Sequence, residues 1–182
     1  MAYQTLKQFV DDLKARGDLK HIAQPVDPAL EMTEISRRAL ERDGPALLFE
    51  SPVGGGVPVV TNLFASQRRI ALGLGLESIS ELRRFGELLA SLKDPEPPRN
   101  LREIWGKLPL FRRALAMAPK KVRNADCYDN CISQQDVDLH RLPVQTCWPE
   151  DAGPLITWGL VITKNPETGR HNLGVYRLQV IN

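Results

Sequence analysis

The sequence predicts a mixed α/β fold: a small N-terminal α/β domain, then a β-rich stretch that opens a second domain and stops inside it. Three observations support this. Short apolar runs alternate with helix-period segments over residues 1–93, as in a small mixed domain. A proline-bearing, basic stretch then interrupts the pattern, and after Ile132 the character becomes extended.

The first segment reads as a helix. Thr5 can cap it, Leu6, Phe9, Val10 and Leu13 recur at helical spacing, and Gly17 ends it. Residues 19–22 suit a short strand. Asp27 followed by Pro28 suits a second helix start, because proline in the first turn loses no hydrogen bond. Leu30, Ile35 and Leu40 are then expected to face the core until Gly44-Pro45. Residues 46–49 are short and apolar, as in a buried strand. Gly54-Gly55-Gly56 makes a turn, residues 57–61 a further strand, and residues 67–72 and 80–92 helices. Pro95, Pro97 and Pro98 stop the last helix, and residues 94–125 read as a basic connector with short helical pieces. Residues 155–163 and 172–181 are expected to pair as a β-hairpin around the turn formers Asn165-Pro166-Glu167-Thr168-Gly169. A lone hairpin is marginal, so the chain is expected to be cut within a domain.

Hydrophobic residues make up 42% and charged residues 25%, enough to bury a core. No run approaches the roughly 20 apolar residues of a membrane helix, and the N-terminus lacks the apolar block of a signal peptide. A cytoplasmic protein is expected. The formal charge of +2 names no partner. Residues 99–123 are dense in Lys and Arg against the single acid Glu103, yet only Trp105 and Phe111 could stack on bases. A solvated or interdomain surface is therefore expected and no nucleic acid. The three cysteines Cys127, Cys131 and Cys147 are odd in number and lack a second ligand pair, so reduced, partly buried thiols are expected.

Two stretches can carry chemistry. Thr146-Cys147-Trp148-Pro149-Glu150-Asp151 places adjacent carboxylates beside a proline, although a polar loop before a strand is the better explanation of it. Asn172-Leu173-Gly174-Val175-Tyr176-Arg177 combines a neutral oxygen donor, a glycine and an arginine in one strand. An amide oxygen suits a hard cation, and a guanidinium can hold a carboxylate or phosphate through two bonds, but an ordinary amphipathic strand shares the same pattern. The glycine triplet at 54–56 lacks both the lysine of a P-loop and dinucleotide-motif spacing.

Five stretches in order carry a resemblance: GPALLFE (44–50), LASLKDPEPP (89–98), TCWPED (146–151), PLITWG (154–159) and NLGVYR (172–177). Together they resemble the UbiD-type decarboxylases, above all those acting on 4-hydroxy-3-polyprenylbenzoate in bacterial ubiquinone biosynthesis. The resemblance runs from Leu6 to the end. It implies an N-terminal domain over 1–93, the connector, and over 126–182 the incomplete start of a split β-barrel that binds prenylated FMN with a divalent metal, usually Mn²⁺. It also implies Asn172 as metal ligand, Val175, Tyr176 and Arg177 along the flavin, and Arg177 at the reacting carboxylate. The implied partners are the polyprenyl hydroxybenzoate, a flavin prenyltransferase that supplies the cofactor, and further copies of the full-length chain. The expected location is cytoplasmic, peripheral on the inner face of the cell membrane. The chain alone, as a fragment of the enzyme, is expected to be inactive, and a decarboxylase of another aromatic acid, or a non-catalytic folding and interaction module as a fragment, are the alternatives. Because Asn172 and Arg177 are five residues apart, a regular strand would put them on opposite faces. A bulge around Leu173-Gly174 is therefore expected.

Overall fold

The computed structural model describes residues 3–93, 123, 125 and 128–181. The chain forms two compact units, residues 1–79 with 138–182 and residues 80–137. The first contains α1 (Leu6–Ala15), β1 (Leu19–Ile22), α2 (Glu31–Glu41), β2 (Ala46–Phe49), β3 (Val59–Thr61), α3 (Gln67–Gly73), a 3-10 turn (Leu139–Arg141), β4 (Leu155–Lys164) and β5 (His171–Gln179). The second contains α4 (Ser80–Lys93), braced on its surface by Arg83 and Glu87 one turn apart, and a 3-10 turn (Gln134–Asp136). Most of the expected connector, and Cys127, lie outside the described residues.

In the first unit, β1 and β2 run parallel and β3 returns antiparallel, so β2 is the central strand. Its run Ala-Leu-Leu-Phe buries Ala46, Leu47 and Phe49, as a strand covered on both faces requires. Val26, Met32, Leu47 and Phe49 form one core, with Ile22, Ile35, Ala39 and Val59 against it. Phe9, Leu13 and Ala46 form the other, with Tyr3, Leu19, Leu63 and Leu72. Each fully buried side chain of this kind contributes about 1.5–3 kcal/mol.

Local signals explain α1. The Thr5 hydroxyl accepts the Gln8 N–H at 3.2 Å, and Gly17 follows the helix at φ +72°. Phe9 and Leu13 are buried as expected, but Leu6 is 58% exposed. It lies one turn before that face and borders an open cleft instead.

The second helix departs from expectation at its start. It begins at Glu31 rather than at Asp27-Pro28. Ala29 bridges Thr146, and the Leu30 N–H donates to the Thr146 carbonyl at 2.9 Å, which ties both residues to the later chain before the helix can start. Leu30 consequently sits at φ 66°. The Asp27 carboxylate accepts the Ala29 N–H, and Glu31 reaches back to the Asp27 N–H. The inward face is then Met32, Ile35, Ser36 and Ala39, while Leu30 and Leu40 are exposed. Buried Ser36 is satisfied: its hydroxyl donates to the Met32 carbonyl at 2.7 Å and lies 2.8 Å from the Thr61 hydroxyl.

The third strand starts at Val59, two residues later than expected from its apolar run. Beyond it, Asn62 turns the chain at φ 57° and donates from Nδ2 to the Ser36 carbonyl at 2.7 Å. That turn delivers Phe64, which stacks on Phe9 with ring centroids 5.7 Å apart. Gly73 makes room for it, since a Cβ there would fall 2.8 Å from Phe64 Cε1. Such ring pairs add about 0.5–1.5 kcal/mol beyond buried area.

Candidate functional site

The expected hairpin is present, and it carries all four candidate residues. β4 and β5 pair antiparallel, joined through residues 165–170. Asn165 organises that loop by accepting the Glu167 and Thr168 N–H groups, and the Gln179 amide donates to the Gly153 and Pro154 carbonyls at the base.

The ladder is regular over 172–176: Asn172 faces Thr163, Leu173 faces Ile162, Gly174 faces Val161, Val175 faces Leu160 and Tyr176 faces Gly159. The expected bulge around Leu173-Gly174 is therefore absent. The irregularity lies across the hairpin, in β4. Tyr176 pairs with Gly159 and Leu178 with Ile156, so Thr157 and Trp158 together stand opposite Arg177. This is a β-bulge on the partner strand, which bends the ladder and adds twist at the arginine's position. Asn172 and Arg177 remain on opposite sides of β5 by strand alternation.

Gly174 has a different task from the one expected of it. A Cβ at this position would lie 2.5 Å from Tyr176 Cε2, so the glycine seats the Tyr176 ring, two residues along the same face. Val175 lies on the other face with Leu173, and Val175, Tyr176 and Arg177 are all exposed.

Asn172 lines a recess at the hairpin's loop end with Thr163, Lys164, Asn165, Thr168, Arg170 and His171. The donor set is informative. Asn172 offers a neutral oxygen suited to a hard cation, while Lys164 and Arg170 bring positive charge. Among the described residues no group of three or more His, Cys, Asp or Glu could hold a metal. A bare divalent cation would find one neutral ligand here beside two cationic side chains. A cation held together with a phosphate fits, since the phosphate answers the lysine and arginine.

The carboxylates of TCWPED separate into roles. Asp151 accepts the Trp148 N–H at 2.9 Å and donates its own N–H to the Trp148 carbonyl, so its carboxylate is used in a turn. Glu150 is exposed. Cys131 is an exposed free thiol and Cys147 a half-buried one, so only Cys147 has the partial burial expected of both. Among the described residues no helix is long and apolar enough to cross a membrane.

Sequence reasoning missed Trp158 and its support. The Trp158 ring packs edge-on against Phe64 with centroids 5.3 Å apart, in a cleft bordered by Leu6, residues 60–65 and Leu160. Gly159, directly after the tryptophan in an otherwise apolar strand, was the available signal, because glycine inside a strand often marks a bulge.

Two family sequence models match the chain: the 3-octaprenyl-4-hydroxybenzoate carboxy-lyase N-terminal domain over residues 10–89, and the Rift-related domain of the same carboxy-lyase over residues 120–182. Among solved structures, the closed form of vanillic acid decarboxylase from Sedimentibacter hydroxybenzoicus is 29% identical, with a TM-score of 0.75 over 99% of this chain and 36% of that one. An evolved dimeric form of the UbiD-class enzyme HmfF from Pelotomaculum thermopropionicum, in complex with prFMN, is 28% identical, with a TM-score of 0.68 over 97% of this chain and 36% of that one. The apo 3,4-dihydroxybenzoic acid decarboxylase from Enterobacter cloacae is 26% identical, with a TM-score of 0.64 over 97% of this chain and 34% of that one. The chain thus spans about a third of the length of the structures it matches.

Proposed function

Because the chain belongs to the UbiD family of carboxy-lyases, we propose that it forms the N-terminal part of a prenylated-FMN- and Mn²⁺-dependent decarboxylase that converts 4-hydroxy-3-polyprenylbenzoate to 2-polyprenylphenol and CO₂ in ubiquinone biosynthesis. The observation that carries this reading is the β5 strand. It places Asn172, Tyr176 and Arg177 on one short, open element within the Rift-related match.

When bound, prenylated FMN supplies the electron sink that CO₂ loss from an electron-rich ring requires. The chain's own groups have simpler tasks. Arg177 presents a planar fork to the substrate carboxylate and holds it by two charge-assisted bonds. Asn172 would give an amide oxygen to the metal, and Lys164 and Arg170, which line the same recess, would answer the charge of the cofactor phosphate. Tyr176, laid over Gly174, would offer a flat surface along the bound flavin and shield it from water on that side. Val175, on the other face of the strand, is the further residue assigned to the flavin. Flavin prenyltransferase delivers the cofactor, the full-length chains assemble into a homo-oligomer, and the enzyme meets its lipid-tailed substrate at the inner membrane surface.

The test is retention of cofactor. The chain is incubated with prenylated FMN and Mn²⁺, desalted, and its visible absorbance recorded. Retained flavin that is lost in Asn172→Ala is the expected result. No retention, or retention indifferent to Asn172, Tyr176 and Arg177, would count against the site. For substrate class, a polypeptide of full family length carrying this chain should release CO₂ from polyprenylated hydroxybenzoate in preference to vanillate. The reverse preference would reassign the substrate to another aromatic acid.

A further inference from the structure

The hairpin raises a question of register. Its two faces are both apolar: Leu160, Ile162, Leu173 and Val175 on one, Val161, Tyr176 and Leu178 on the other. Strand register is well specified when one face is buried and the other polar, and weakly specified when the faces are alike. Yet β4 departs from regular pairing at one defined place, opposite Arg177, and the residue there with a distant packing partner is Trp158.

That partner is itself held firmly. Phe64 is stacked on buried Phe9, fits over Gly73, and follows a turn pinned by Asn62 to the Ser36 carbonyl. A line of contacts therefore runs from the N-terminal core through Phe64 and Trp158 to the bulge. A one-residue slip of β4 would remove the bulge, take Trp158 off Phe64 and turn the tryptophan to the other face. Gly159 supports the same placement, because a Cβ there would lie 3.3 Å from the Tyr176 carbonyl and 3.2 Å from Leu178 Cδ1.

From this geometry we infer that Trp158, seated on Phe64, is a positioning residue: it pins the β4 bulge opposite Arg177 and so sets where the arginine presents its guanidinium. The inference rests on the reading of Arg177 as the carboxylate anchor, but the pinning itself is a property of the hairpin alone. It couples the N-terminal domain to the reacting end of the site without contact to substrate.

The experiment compares the wild-type chain with Trp158→Ala, Trp158→Phe and Phe64→Leu by amide hydrogen exchange and thermal melting, with prenylated FMN retention measured in parallel. Trp158→Ala should raise exchange over residues 175–178 about tenfold, leaving residues 171–174 and the melting temperature little changed. Trp158→Phe, which keeps an aromatic edge for Phe64, should restore slow exchange. Phe64→Leu should reproduce the alanine effect from the N-terminal side, and it carries the test if Trp158→Ala does not fold. Unchanged exchange at 175–178, or a uniform rise along the hairpin with a lower melting temperature, would overturn the inference, since ordinary packing predicts the latter. If wild type retains no flavin while the local exchange pattern appears, the pinning stands and the reading of β5 as a cofactor-binding strand in this chain by itself falls.

Discussion

The Tyr176 ring occupies the space that a side chain at Gly174 would need, with Cε2 only 2.5 Å from a Cβ built there. The neighbour in the way is a ring on the same strand, at the position expected to line the flavin. Gly174→Ala should therefore displace Tyr176 while leaving the ladder paired, because Gly174 does not have a positive φ. The expected outcome is a changed tyrosine signal in near-ultraviolet circular dichroism and a Kd for prenylated FMN raised about tenfold, near 1.4 kcal/mol. Unaltered binding would remove Tyr176 from the site.

Arg177 lies opposite the bulge, on a strand position that regular pairing does not share with Asn172. In a polypeptide of full family length carrying this chain, Arg177→Ala should abolish turnover. Arg177→Lys should lower kcat by about a hundredfold or more, since lysine keeps the charge and loses the planar fork. Near-normal kcat in the lysine variant would show that the two-bond role is wrong.

A third expectation concerns pH and α2. Hydrogen bonds from Arg37 and Arg38 hold the Glu34 carboxyl at about 2, below its ordinary 4.5. A depressed carboxylate pKa stabilises the folded state above the unfolded value, and this support is lost as pH falls through the folded one. The Glu34 contribution should be complete above about pH 4.5 and gone below about 2, and small because the group is exposed. Melting curves of wild type and Glu34→Gln should differ at neutral pH and converge across that window, with added salt narrowing the gap. A difference that persists below pH 2 would mean that the glutamate acts through something other than its charge.

The hairpin's surface leads to the fourth. Leu160 is 69% exposed, Ile162 71%, Leu173 64% and Ile181 82%, an apolar area larger than isolated surface residues would leave in water. In solution the isolated chain should self-associate through β4 and β5, raising its mass with concentration and slowing exchange over residues 155–181. A strictly monomeric chain with slow exchange throughout the hairpin would show that these faces are satisfied within one copy.

Much of this architecture was legible in the residues because local chemistry dictates it. Thr5 and Gly17 bracket α1, the Ala46–Phe49 run specifies a strand covered on both faces, and the turn formers after β4 specify a hairpin. The motif NLGVYR marked the strand on which the candidate residues stand. The second helix misled, since Asp27-Pro28 is a sound local start that a distant residue overrides. Thr146 takes the Leu30 N–H, and no property of residues 27–31 announces it.

The sequence by itself therefore determined which segments are helix and strand, and which strand carries the candidate chemistry. Capping, periodicity and turn preference act within a few residues, so they can be read one segment at a time. Only the tertiary structure decided that Ala29 and Leu30 pair with Thr146, that Tyr176 needs Gly174, and that the bulge lies opposite Arg177 rather than beside Asn172. Each of these depends on contact between residues or strands whose separation in space no local preference specifies. The register of a hairpin with two apolar faces is the plainest case, for its own pattern permits more than one pairing, and in the one observed the ring of Phe64 meets Trp158.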